Sequence, residues 1–128
     1  MSRDPQRLAD YLDHVLQAID RVQRYAGAMG AEDFMRDQMV QDAVIRNLEV
    51  IGEASHNIET QFPGFAAAHP ELPLAFAYQM RNAVAHGYFK VDLEIVWRTI
   101  ATDLIGYRAA MQTAADELAS IRGPSPKP

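Results

Sequence analysis

The sequence predicts an all-α fold: an up-and-down four-helix bundle with one short extra helix. Three observations carry that prediction. Apolar residues recur at three- and four-residue steps along the long stretches, the spacing of one helical face. No segment alternates apolar and polar residues between turn formers, as a half-buried strand would. The connections between the periodic stretches are short, which favours helices packed as neighbours.

The first helix opens at Asp4, whose carboxylate suits an N-cap, with Pro5 at the first helical position. Leu8, Leu12, Val15, Leu16, Ile19 and Val22 form its inner stripe, and it ends near Gly27 to Gly30. A short helical turn is expected over Glu32 to Met35. The second long helix runs from about Asp37 to Thr60 on the stripe Val40, Val44, Leu48, Ile51, Ser55 and Ile58. Phe62-Pro63-Gly64-Phe65 breaks it, and Pro70 and Pro73 bracket the next connection. A shorter third helix covers about Leu74 to Ala85, with Gly87 as its stop. Asp92 caps the fourth helix, and Val91 and Val96 have the spacing of a hydrophobic staple. Its stripe is Leu93, Val96, Ile100, Leu104, Tyr107, Met111 and Leu118.

Residues 1–122 therefore read as one helical domain, and residues 123–128, Gly-Pro-Ser-Pro-Lys-Pro, as a flexible proline-rich tail. Trp97, Ile105, Ile95 and Val50 lie off the main stripes. A second apolar face of that kind suits a homodimer seam, or else widens the core face. Met29, Met35, Met39, Met80 and Met111 read as core filling.

The chain has 128 residues, 48% of them apolar, enough for a modest core without staples. It has no cysteine, which excludes disulfides and thiolate zinc sites and fits a cytoplasmic location. The polar start, Met1 to Pro5, shows no apolar signal core, and no apolar run suggests a membrane span. Seventeen acidic residues against 12 basic give a net charge of −5, which argues against a broad basic face for nucleic acid. A local basic cleft remains compatible with that balance. His14, His56 and His69 are scattered, and His56 with Glu53 or Glu59 makes a poor two-ligand set, so neither metal nor other cofactor is expected.

Chemistry-bearing residues gather in Arg81-Asn82-Ala83-Val84-Ala85-His86-Gly87-Tyr88. An arginine, an amide, an imidazole and a phenol in eight residues can hold a phosphate, move a proton and present a hydroxyl. An arginine followed by a histidine after four to six residues is weak by itself, and Arg7 with His14 also matches. Those two lie two turns apart and read as surface residues. The added Asn82 and Tyr88 make the second occurrence far more specific. Positions five apart on an ideal helix are about 140° apart around its axis. Arg81 and His86 therefore cooperate only if the last turn loosens, if Arg81 reaches around, or if a two-fold partner supplies the second set. A histidine at a helix C-terminus has its charged form favoured by the dipole.

This segment resembles the Arg-x4-6-His motif of HEPN domains. With its tyrosine it resembles the HepT subgroup, the toxin half of HepT–MntA toxin–antitoxin pairs. The stretch Ala43-Val44-Ile45-Arg46-Asn47-Leu48-Glu49-Val50-Ile51-Gly52-Glu53-Ala54 is similar to that family's second-helix segment. The likeness covers roughly residues 5–118. It implies a metal-independent endoribonuclease acting at a dimer cleft. His86 would act as general acid–base, Arg81 would steady the transition-state charge, and Asn82 would orient phosphate or imidazole. It also implies an MntA-like nucleotidyltransferase antitoxin that adds AMP to Tyr88. Glu53 would orient Arg81, with Gly52 permitting close helix approach.

A plainer reading stands beside this one. Arg81 pairs with Glu53 or Glu49 to tie the bundle, His86 caps the helix, and Tyr88 anchors a loop. A non-catalytic binding or regulatory subunit of a nucleotidyltransferase is the competing function.

Overall fold

The computed structural model describes residues 4–86 and 92–122, without the side chains of residues 85, 86 and 122. Among the described residues there is no strand, and the all-α class holds. Four long helical rods are present: α1 (Pro5–Ala26), α3 (Gln38–Gln61), α5 (Leu74–His86), and α6 (Leu93–Arg98) running through a π-helical turn into α7 (Leu104–Arg122). Two short helices, α2 (Ala31–Arg36) and α4 (Pro63–Ala68), fill the connections. Gly87, Val91 and the tail at 123–128 lie outside the described residues.

The helix starts follow capping chemistry. Asp4 accepts from the Gln6 N–H with Pro5 behind it, Asp37 accepts from Val40, and Asp92 accepts from Glu94 and Ile95. Each aspartate satisfies donors that the first turn leaves open. Asp37 also closes α2, so one residue ends a helix and begins the next.

The expected stripes are buried, except that Val40, Leu93 and Leu118 are half-buried and pack against the core. Leu8, Leu12, Val15, Leu16, Ile19 and Val22 of α1 meet Val44, Leu48, Ile51 and Ile58 of α3 in a single core cluster. Val96, Ile100, Leu104, Tyr107 and Met111 complete it from the last rod. Ser55 is fully buried within this core because its hydroxyl is hydrogen-bonded to that of Tyr107. Burial pushes the Tyr107 phenol well above its ordinary range, so it stays neutral and can share that bond.

Three expectations need correction. Phe62 to Phe65 is not a break of several residues. Phe62 alone leaves helical geometry (φ −131°, ψ 61°), and Pro63 then starts α4 from the first helical position. The fourth helix is not regular, because Thr99–Asp103 widens into a π-helical turn. Thr99 donates to the Ile95 carbonyl and Thr102 to that of Arg98, and such back-bonding competes with the backbone ladder. The methionines are not all core filling. Met111 is buried and Met29 and Met80 pack against the core, but Met35 is 37% and Met39 80% exposed.

The off-stripe residues divide. Trp97 packs on buried Phe34 at 5.5 Å between ring centroids, and Val50 also lies against the core. Ile95 and Ile105 are 40% and 63% exposed. No described helix is long and apolar enough to cross a membrane.

Helix α3 is the centre of the packing, in contact with both α1 and α5 along its length. Against α5 it runs antiparallel. Gly52 meets Arg81, and His56, one turn later on α3, meets Tyr78, one turn earlier on α5. At Gly52 the two backbones are too close for a side chain. A Cβ placed there would lie 2.7 Å from the Ala77 carbonyl oxygen and nearer still to the Cβ of Arg81. A second long-range tie joins α4 to α7. His69 Nδ1 sits 3.0 Å from the Phe65 carbonyl oxygen, and its Nε2 sits 3.1 Å from Glu117 Oε2. Both partners are acceptors, so both ring nitrogens are best satisfied as donors, which requires the imidazolium. Burial opposes that charge, but the Phe65 carbonyl and the Glu117 carboxylate outweigh it and raise the pKa.

Two predictions follow from this packing. Gly52→Ala gains up to about 1 kcal/mol of helix propensity but must push α5 off α3, at about 1–3 kcal/mol. The variant should unfold at lower urea concentration than the wild type, and an unchanged or higher midpoint would contradict the close approach. For His69, a raised folded pKa means the stabilisation is complete below the ordinary imidazole value near 6.5 and lost as pH rises through the folded value. Urea midpoints measured between about pH 5.5 and 8.5 should therefore fall more steeply for the wild type than for Glu117→Gln. Parallel curves would show that the pair carries no linkage.

Candidate active site

Arg81 lies on the turn of α5 that presses against Gly52. Because glycine adds no side chain, the stem of Arg81 rests directly on the α3 backbone. Its guanidinium is then held at two points. Nη2 donates to Glu53 Oε1 at 2.7 Å and Nη1 donates to Asn82 Oδ1 at 3.0 Å. Nε is buried and has no protein partner. The side chain is 26% exposed and that of Glu53 59%, so the ion pair sits at the rim of the α3–α5 seam. Glu49 instead approaches Arg46, at 4.0 Å, within α3.

Of the expected site residues, Arg81 is thus in contact with both Asn82 and Glu53. This geometry serves either role for the arginine. A fixed guanidinium at a solvent rim can receive a phosphate, and the same ion pair ties α3 to α5. The backbone of α5 stays helical through His86, so positions 81 and 86 are about 140° apart around the axis. The His86 side chain and the whole of Tyr88 lie outside the described residues. Arg7 and His14, the weaker match, are both exposed on α1.

Sequence reasoning missed one neighbour of this site. His56 of α3 and Tyr78 of α5 stack face to face, 3.8 Å between centroids and 11° between planes. They lie one turn along the same seam from Glu53 and Arg81. His56 Nδ1 is buried without a hydrogen-bond partner, and the ring packs in the seam through its face on Tyr78. Only the antiparallel register brings it to Tyr78, and a pattern read along one helix cannot supply that. Among the described residues, no group of three or more His, Asp or Glu side chains is arranged to hold a metal ion.

A family model described as ribonuclease HepT-like matches residues 15–114. A protein of Thermococcus cleftensis named as a probable ribonuclease HepT is 40% identical over 95 residues, covering 74% of this chain and 84% of the relative. A protein of Caldanaerobacter subterraneus named as a candidate RNase is 33% identical over 94 residues, 73% of this chain and 81% of its own length. A longer protein of Methanocaldococcus jannaschii, named as both a gamma-glutamylcyclotransferase and a candidate RNase, is 31% identical over 108 residues. That match covers 84% of this chain but 47% of the relative. No solved structure matches at a comparable level. The family model spans the rim residues Glu53, Arg81 and Asn82 together with His86 and Tyr88, and the chain belongs to the HepT-like ribonuclease family.

Proposed function

We propose that this protein is a metal-independent endoribonuclease, the toxin of a HEPN–MNT toxin–antitoxin pair. The observation that carries the reading is the Arg81 guanidinium, held at a solvent rim by Glu53 and Asn82 five residues before His86, in a chain of this family. In this reading a ribose 2′-OH attacks the adjacent phosphorus and the P–O5′ bond breaks. His86 takes the 2′-proton or delivers one to the leaving 5′-oxygen. Arg81 stabilises the added negative charge at phosphorus. The products are a 2′,3′-cyclic phosphate and a 5′-hydroxyl.

One imidazole serves poorly as both base and acid in one step. The 140° between positions 81 and 86 supports a cleft shared by two copies, in which each supplies an Arg81–His86 pair. Exposed Ile95 and Ile105 are candidates for the seam between them. The antitoxin in this reading is an MntA-like nucleotidyltransferase that transfers AMP to the Tyr88 hydroxyl. The added phosphodiester puts negative charge two residues from His86, where it competes with RNA for Arg81. The cytoplasm, where RNA and nucleotides meet, is the expected place of action.

The test is cleavage of total cellular RNA in EDTA by protein whose Tyr88 is shown by mass to be unmodified. Wild type should leave cyclic-phosphate ends, while His86→Ala should lose at least about a hundredfold in rate at unchanged helical content. Equal cleavage by that variant would refute the role of His86. Absence of cleavage by the wild type would favour a non-catalytic subunit of a nucleotidyltransferase. Glu53→Ala should lower kcat/KM by about tenfold and Glu53→Gln by less, since the amide still offers Arg81 an acceptor. Wild-type kinetics for Glu53→Ala would mean that Arg81 needs no support.

A further inference from the structure

Glu53 faces two ways. On the α5 side its Oε1 takes the Arg81 guanidinium, and on the α1 side the residue walls a groove of about 210 Å³ between α1 and α3. This groove is contiguous with the Arg81 site through a single side chain, and no role assigned above uses it.

Apart from Val50 and Ala54, its lining is polar and aromatic. Tyr11 and His14 stand on the α1 wall with their rings edge to face at 6.4 Å. Tyr11 is held in place by Phe62, again edge to face, and donates a 3.4 Å hydrogen bond to Gln61. Asn57 and Arg46 come from α3. The Arg46 side chain is 73% exposed, and its ion pair with Glu49 is at the 4.0 Å limit, so the guanidinium is weakly committed. Arg46 and Glu53 are two helical turns apart, about 10 Å along the axis. That is roughly the reach of one or two nucleotides of an extended strand.

We propose that the α1–α3 groove binds the RNA nucleotide flanking the one that is cleaved. The base lies against the Tyr11 and His14 rings, Asn57 meets its polar edge, and Arg46 holds the next phosphate. Arg46 and Arg81 then act as two cations at the ends of one short track, with Glu53 between them already neutralised by Arg81. The nature of the ligand rests on the ribonuclease reading.

The experiment uses the full chain with a dinucleotide and a hexanucleotide RNA as substrates. Binding of a fully 2′-O-methylated hexanucleotide, which cannot be cleaved, is followed by fluorescence anisotropy across a salt series. Arg46→Glu and His14→Ala are compared with Arg98→Glu, the same charge reversal on α6. Arg46→Glu should reduce the preference for hexanucleotide over dinucleotide about tenfold, mainly through KM. It should also flatten the salt slope of binding by about 0.7, one phosphate on a single strand. His14→Ala should weaken the methylated hexanucleotide in the same direction, and Arg98→Glu should do neither. An unchanged preference and slope in Arg46→Glu would overturn the proposal, as would an equal loss in Arg98→Glu, which would make the effect one of overall charge. If the wild type cleaves neither RNA, the ribonuclease reading fails separately. The methylated hexanucleotide then decides the groove: weaker binding to Arg46→Glu and His14→Ala with unchanged binding to Arg98→Glu supports it, and any other pattern overturns it.

Discussion

The contact between α3 and α5 at Gly52 is the constraint on which the rest of the site depends. Two helices that meet through side chains leave room for those side chains to move. Here one helix offers bare backbone, and the Ala77 and Arg81 turn of the other lies directly against it. The stem of Arg81 is therefore fixed before its charged end meets anything. Glu53 is the next residue on α3 and Asn82 the next on α5, so the same contact brings both acceptors to the guanidinium. A long side chain that would lose considerable rotamer freedom on binding a ligand has lost much of it in folding.

The charge arrangement at this rim permits exchange. Glu53 is more than half exposed, so water screens its attraction for Arg81, and pairs of that kind contribute at most about 1 kcal/mol. A phosphate diester carries the same single negative charge as the carboxylate and accepts in the same fork geometry. Replacing one by the other changes the local balance little. In the proposed ribonuclease reading, Glu53 thus aims the guanidinium in the free protein and yields it, or shares it, when a phosphate arrives. A fully buried carboxylate would hold Arg81 too firmly for that, because separating a buried pair strands a charge.

Much of the fold was legible because each long helix carries its own signal. The stripes of α1, α3 and the last rod are local patterns, and the caps at Asp4 and Asp92 are single residues with one evident use. The proposed pairing of Arg81 with Glu53 was legible too, since Gly52 inside a helix is a poor choice unless something must come close. What escaped depends on register between helices. His56 and Tyr78 meet only because α3 and α5 run antiparallel at one particular offset, and His69 reaches Glu117 across 48 residues of chain. The π-helical turn at Thr99–Asp103 escaped for another reason: the apolar stripe reads straight through it, and neither buried Thr99 nor exposed Thr102 is out of place in a regular helical pattern. His86 and Tyr88 were legible as a motif, and the described residues reach that motif only as the backbone end of α5.

In the proposed ribonuclease reading a chain with a net charge of −5 has to act on a polyanion, and that needs an arrangement of this kind. Its long-range field repels RNA, so affinity has to come from a few cations at fixed positions rather than from a basic surface. A cation held in place in turn requires a rigid support, and α3 provides it for Arg81 from the middle of the bundle. One flank of α3 is closed against α5 and holds Arg81, while the other opens toward α1 beside Arg46. Glu53 on the ridge between them keeps the site near neutrality while it is empty. In this view the acidic surface adds to selectivity: it discourages nonspecific contact along the rest of the protein and leaves the α3 ridge as the place where a strand can settle.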